Sequence, residues 1–271
     1  MIKDITIGQF FPYHSLIHKI DARIKLILTM LFVAIIFLAA NFIGLAFIAV
    51  FILIYIILSK VPVKLYLKSL KPIIPFILLT AVLNAFYIEG TALIKFYFLT
   101  ITEEGLIRSA FVAIRIILLI IASSALTYTT SPTELTDAIE RLLKPLSKLH
   151  VDTHSFAMMM TIALRFIPTL IEETDKIMNA QKARGANIET GNFIARIKAL
   201  LPILIPLLVS SFRRAKELAD AMECRCYGGG EGRTKMKQPH LEVRDFLVVF
   251  IFSLIFIFVI FLNATIKGNI I

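Results

Sequence analysis

Two arginines, each set between small residues at the end of a long amphipathic stretch, are the positions of this sequence best suited to do chemistry. They stand in Ala183-Arg184-Gly185 and Cys224-Arg225-Cys226, 41 residues apart. A guanidinium is planar, always charged and able to hold a carboxylate through two parallel hydrogen bonds. Small flanking residues let such a tip enter a narrow groove. Taken alone, Arg184 followed by Gly185 is an ordinary helix stop, with the cation at the negative end of the helix dipole and glycine in the left-handed position. Two such ends on the two longest polar-faced helices point instead to docking onto a partner, in the layout that passes motion from a cytoplasmic motor to a membrane part.

Other chemistry is poorly supplied. His14, His18, His150, His154 and His240 form neither a HExxH pattern nor any paired ligand spacing, so no metal site is expected. There is no GxxxxGK[ST], so the chain has no Walker site of its own. Gly228–Gly232 follows a helix without opening another, which suits chain exit rather than phosphate binding. Cys224 and Cys226 are too few for a disulfide framework or a four-thiolate zinc site, and are read as free thiols on the reducing side. A membrane-embedded transferase or protease would need paired Asp, His or Ser-Lys groups at membrane depth, and these are missing. The expectation is a protein that is not an enzyme, with no cofactor and no nucleic-acid partner.

The elements that must position the two arginines follow from hydropathy. Of 271 residues 58% are hydrophobic, and mean hydropathy is +0.84. Ile24–Ala40, Phe42–Leu58, Ile73–Tyr87, Phe111–Tyr128 and Phe246–Leu262 are nearly charge-free runs. A bilayer core of about 30 Å takes roughly 20 helical residues, and these runs approach that length once their Thr, Ser and Tyr flanks are counted. So many apolar blocks in so short a chain leave too little polar surface for a soluble globule. Charge sets the orientation. With the N-terminus inside, 25 of the 29 Lys and Arg residues lie on the cytoplasmic side, as the positive-inside rule requires. The expected fold is all-α: a polytopic protein of the cell membrane with about five transmembrane helices and long cytoplasmic amphipathic helices. Residues 1–128 form an N-terminal membrane part, 129–240 a cytoplasmic helical region and 241–271 a last span.

Local signals refine this plan. Lys60, Lys64, Lys68 and Lys71 recur at steps of four and three, and predict a short helix lying on the membrane surface with its lysines toward anionic head groups. Pro72 and Pro75 mark the turn into the third span. Leu93–Ile101 suits a re-entrant, interfacial or spanning segment. Arg115 falls inside a span, where a charge is expensive, and either snorkels or takes a partner, with Glu103 and Glu104 as candidates. Ser131-Pro132-x-Glu134 has capping-box spacing and opens a helix to Lys144. A second helix runs from about Thr153 to Arg184 with a kink expected at Pro168, and a third from about Ala195 to Arg225.

At these residues the chain resembles the transmembrane T component of energy-coupling factor (ECF) vitamin and metal importers, the EcfT/CbiQ type, over nearly its whole length. The likeness rests on His18-x-x-Asp21-x-Arg23-x-Lys25-Leu26, on the Ser131-Pro132 helix to Pro145, on Ala183-Arg184-Gly185, and on Ala221-Met222-Glu223-Cys224-Arg225-Cys226-Tyr227 with Gly229 beyond. It implies an energy-coupling subunit whose small-Arg-small tips insert into grooves on two ABC ATPase subunits and which holds a substrate-binding S component in the membrane. Ala183, Arg184, Gly185, Cys224, Arg225 and Cys226 would then be the ATPase-docking residues. Cys224 stands where alanine is expected, and Asp21-Ala22 where Asp-Pro is common. The alternative is a conventional ABC importer permease that forms the substrate path itself. It predicts one coupling motif with a Glu-Ala-Ala-like start and a polar cavity, neither of which is visible.

Overall fold

The computed structural model describes residues 10–13, 15–88, 91–96, 99–145, 152–186, 193–228 and 242–265. The chain forms two compact units, Ile139–Lys237 and the combination of Gly8–Ala138 with Gln238–Ile271. His14, His150, His240, Glu89-Gly90 and most of the glycine-rich exit lie outside the described residues.

The second unit holds α1 (Ala22–Leu38), α2 (Phe42–Ser59), α3 (Val63–Leu70), α4 (Ile74–Tyr87), the strands β1 (Ala92–Phe96) and β2 (Leu99–Thr102), α5 (Glu103–Thr129) and α9 (Val243–Thr265). α6 (Pro132–Leu143) leads from it into the first unit, which holds α7 (Thr153–Ala183) and α8 (Phe193–Cys224). Five helical stretches are long and apolar enough to cross a membrane: Phe42–Ser59, Val63–Phe86, Glu103–Thr129, Thr153–Ala183 and Val243–Thr265. This set differs from the sequence expectation at two places. α7 satisfies the length and hydropathy of a span, whereas α1, at 17 residues, is shorter than these five. α1 and α2 each pack against both α5 and α9. Ile35, Ile36, Leu45 and Ile48 are fully buried between them, and Phe32, Phe51 and Phe252 cluster with ring centroids 5.5–6.0 Å apart. Many large side chains on the opposite faces, such as Leu53, Ile57, Phe250 and Phe261, are exposed, as a lipid-facing surface requires.

Helix ends are where polar backbone groups lose their partners. At the carboxyl end of α1, the Arg115 Nη2 donates to the Ala39 carbonyl at 2.6 Å, and Asn263 of α9 donates Nδ2 to the Leu38 carbonyl at 2.6 Å while accepting from the Ala40 amide at 3.2 Å. The Arg115 guanidinium also lies 4.7 Å from the Phe111 ring centroid. Arg115 therefore pairs with backbone and an aromatic face, not with Glu103 or Glu104. Glu104 instead accepts from the amide and hydroxyl of Thr91. At the opposite end of the bundle the buried Lys25 amine donates to the carbonyls of Thr129 (3.0 Å) and His18 (3.3 Å). His18 takes the tautomer that donates Nε2–H to the Phe11 carbonyl at 3.0 Å, leaving Nδ1 to accept from the Ser15 hydroxyl at 2.7 Å. Burial, opposed by the Phe11 carbonyl, pushes its pKa below the usual histidine value. Asp245 accepts from the amides of Asp21 and Glu242, which ties the start of α9 to the start of α1.

α3 was expected to lie flat on the membrane surface. Instead it joins α4 through a 3-10 turn at Lys71–Ile73, and the two run along α5 in one antiparallel sense. Ser69 meets Ser124, and Ser109 donates to the Ala81 carbonyl at 2.8 Å. The inward positions Tyr66, Ser69, Ile73, Ile77, Thr80 and Asn84 keep helical spacing through the turn, so one face serves both helices. Leu93–Ile101 is neither a span nor a re-entrant helix. Ala92–Phe96 and Leu99–Thr102 instead pair as two antiparallel strands, with Lys95 opposite Thr100, between α4 and α5 in the chain. Small residues bring those helices close, as in membrane packing generally. A Cβ on Gly105 would lie 3.0 Å from the Ala85 and Asn84 carbonyls and 2.7 Å from the Thr102 hydroxyl. Gly105→Ala is expected to lower the melting temperature of the detergent-purified protein, at a cost of about 1–3 kcal/mol that outweighs a helix-propensity gain of up to about 1 kcal/mol. An unchanged or raised melting temperature would show that the α4–α5 contact is looser than this.

Candidate functional site

The cap box that opens the polar helices is formed as the spacing predicts. The Ser131 hydroxyl accepts from the Glu134 amide and the Glu134 carboxylate accepts from the Ser131 amide, both at 3.2 Å. α6 then runs to Leu143. The α7 amino end is capped by Asp152, whose carboxylate takes the Ser155 amide at 3.0 Å, and Glu140 of α6 meets His154 Nδ1 at 3.2 Å.

Among the described residues, two side-chain hydrogen bonds join α7 to α8. Arg214 donates Nη2 to the Glu173 carboxylate at 2.6 Å. Gln181 donates Nε2 to the Pro202 carbonyl at 3.4 Å. The second contact has a cause in the sequence. Pro206, four residues on, has no N–H, so the Pro202 carbonyl lacks its helical donor and is open to Gln181. Neither contact was anticipated, although the Pro202–Pro206 spacing is a legible signal for a freed acceptor. Glu173 and Gln181 rise along α7 while their partners Arg214 and Pro202 descend along α8, so the helices are antiparallel where they touch.

Both helices end in one backbone motif. At α7, Arg184 is the C-cap, the Gly185 amide returns to the Lys182 carbonyl at 3.0 Å and the Ala186 amide to the Gln181 carbonyl at 3.0 Å. At α8, Arg225 occupies the same position, the Cys226 amide returns to Glu223 at 2.8 Å and the Tyr227 amide to Met222 at 3.0 Å. These are two Schellman caps, each with arginine at the C-cap. The residue after the arginine is left-handed in both, Gly185 at φ +86° and Cys226 at φ +55°. Glycine holds that conformation freely, whereas cysteine is strained there. Ala183, Arg184, Gly185, Cys224, Arg225 and Cys226 are all exposed.

The structure does not bring the two arginines together. From the Gln181 contact three residues remain to Arg184, about 5 Å of helical rise, and from the Arg214 contact eleven remain to Arg225, about 17 Å. The exits point in opposite directions, with about 12 Å of α7 between the contacts. The tips thus present two separate guanidiniums, each beside small or short residues, and could engage two sites of acidic character. The second unit has a small cavity of about 80 Å³ among α1, α2, α5 and α9, lined chiefly by apolar residues such as Leu28, Phe32, Ile52 and Phe252.

The chain is thus an all-α, multi-pass membrane protein in which two long helices each end in an exposed arginine. The sequence model of the CbiQ family, described as a cobalt transport protein, matches residues 14–236. The energy-coupling factor transporter transmembrane protein EcfT of Clostridium kluyveri is 57% identical over 91% of this chain and 92% of its own length. The proteins of the same name from Ruminiclostridium cellulolyticum and Bacillus subtilis are 53% identical over 92% of this chain and 93% of their relative, and 44% identical over 97% and 100%, respectively. The chain belongs to the EcfT family, the transmembrane components of energy-coupling factor transporters.

The strained cap gives a direct check. Cys226→Gly is expected to slow hydrogen exchange of the Tyr227 amide about two- to fivefold, and Gly185→Ala to speed exchange of the Ala186 amide by a similar factor, from a strain of about 1 kcal/mol. Shifts in the opposite directions would mean that the two ends do not share this cap.

Proposed function

We propose that this protein is the energy-coupling scaffold of its transporter, and that Arg184 and Arg225 are the points at which two ABC ATPase subunits dock. The observation that carries the reading is the repeated cap: two helices held antiparallel, each ending in an exposed arginine on the same backbone motif. A C-cap arginine projects from the helix end, and a carboxylate-lined groove would accept it through bidentate pairing. The opposed exits suit two docking sites better than one. ATP hydrolysis belongs to the partners, and the chain itself is not catalytic. Tilting of α7 and α8 would then move an S component that binds the transported vitamin or metal in the membrane. The N-terminus and the 129–240 region face the cytoplasm, α7 included despite its length and hydropathy, with 1–128 and 241–271 in the cell membrane. That orientation rests on the lysine and arginine bias. The apolar lining of the bundle cavity favours a scaffold over a permease that forms the substrate path itself.

Changing Arg184 and Arg225 together to Glu is expected to abolish co-purification with the ATPase subunits while membrane insertion and yield are retained. Removing one partner of a buried charge pair costs about 2–5 kcal/mol, so each single Ala variant should weaken association about 30-fold or more. A pure helix-capping role predicts only about 0.3–1 kcal/mol per site. If the double variant still carried the ATPases through purification, the docking role would be wrong.

A further inference from the structure

The outward face of α3 and α4 changes character along its length. Lys64, Lys68 and Lys71 occupy one end, Lys60 stands just before it as the C-cap of α2, and all four are exposed; among the described residues none has an acidic partner. Continuing the same helical row through the 3-10 turn leads to Pro75, Leu78, Leu79 and Val82, also exposed, with Leu78 at 60% and Leu79 at 54%. Val63 and Leu67 flank the lysines and are likewise exposed. The lysine platform is rigidly held from behind. Tyr66 is buried with its ring edge-on to Tyr128 at 5.2 Å, the Tyr128 hydroxyl donates to the Leu65 carbonyl at 3.1 Å, and Ser124 donates to Ser69 at 3.1 Å. Lys60 is itself held in the left-handed region, at φ +57°, which aims the chain into α3.

We propose that this face is a binding site for an acidic phospholipid, with the phosphate on Lys64, Lys68 and Lys71 and an acyl chain along Pro75, Leu78, Leu79 and Val82. The order of chemistry along the helix is that of the lipid, cation-binding head first and aliphatic tail after. From Lys71 to Val82 the rise is about 17 Å, close to the roughly 15 Å of one leaflet of the hydrocarbon core. A lysine near an acidic membrane surface gains about fivefold in affinity, so three on one rigid row, with Lys60 close by, select acidic over zwitterionic lipid. Free lysines carried by a flexible loop would instead give only a diffuse attraction. The inference stands apart from the docking role of Arg184 and Arg225. The orientation proposed above decides only which leaflet supplies the lipid.

The sequence has no tryptophan, so Leu67→Trp supplies a single fluorescent reporter beside Lys64 and Lys71. The purified full-length chain in detergent is titrated with brominated phosphatidylglycerol or brominated phosphatidylcholine. Half-quenching is expected at an at least fivefold lower fraction of the acidic lipid, with the preference falling below twofold in about 0.5 M salt. Adding Lys60→Gly, Lys64→Gln, Lys68→Gln and Lys71→Gln should abolish the preference, and Lys68→Gln alone, a mild surface change that leaves folding intact, should reduce it about fivefold. Equal quenching by both lipids, or a preference unaltered by these substitutions, overturns the proposal. So does protection of the reporter from both lipids by added ATPase subunits, which would assign the face to an acidic protein surface.

Discussion

A peptide carbonyl inside a bilayer has no water to turn to, and the packing of α1, α2, α5 and α9 is arranged around that constraint. Helices satisfy their own interiors, so the demand falls on their ends. The last carbonyls of α1 would be orphans where the chain turns toward α2, and Arg115 and Asn263 reach them from α5 and α9. The end of α5 has the same need, and Lys25 supplies the donor. Each cation thus lies at the negative end of a neighbouring helix dipole, where its charge is favoured. Two long-range hydrogen-bonding groups at each end, Arg115 and Asn263 at one and Lys25 and Asp245 at the other, hold α1, α5 and α9 in register with few loop residues.

This changes the meaning of a charged residue at membrane depth. A lone arginine in a span invites a search for an acidic partner or a substrate path. Arg115 has a carbonyl in front of it and an aromatic face beside it, and among the described residues it takes no counter-ion. The same logic explains why the leader motif around His18, Asp21, Arg23 and Lys25 is so polar next to an apolar span. Its members bond to Phe11, Ser15, Thr129 and Asp245, and so fasten the leader, α1, α5 and α9 at one end of the bundle.

Features that depend on neighbours in sequence were legible. Ser131 and Glu134 are three residues apart, and their reciprocal cap needs nothing else. The ends of α7 and α8 came within two residues of their expected positions because Gly185 and the small-Arg-small pattern are local stops. Features that depend on tertiary choice were not. Glu104 is nearer to Arg115 in sequence than Ala39 is, yet it is spent on Thr91 across the hairpin. The lysine spacing of α3 correctly gave a helical face, but only Tyr66 meeting Tyr128 and Ser69 meeting Ser124 decide that the helix stands along α5. The hairpin at 92–102 was ambiguous for a physical reason: a short apolar run rich in aromatic residues suits a strand and a membrane segment equally.

The two caps carry the argument one step further. If glycine alone specified the arginine-tip geometry, the second tip should have lost it, since Cys226 stands where the first has Gly185. It keeps the same pair of returning hydrogen bonds and the same left-handed residue at an energetic cost. A strained backbone persists only where the surroundings hold it or a function needs it, and Cys226 keeps it at the exposed end of α8. The geometry of the tip, rather than the identity of its residues, is then the shared property of the two helix ends. Under the docking role proposed above, that is what two similar grooves on two partner subunits would demand of a scaffold entering both.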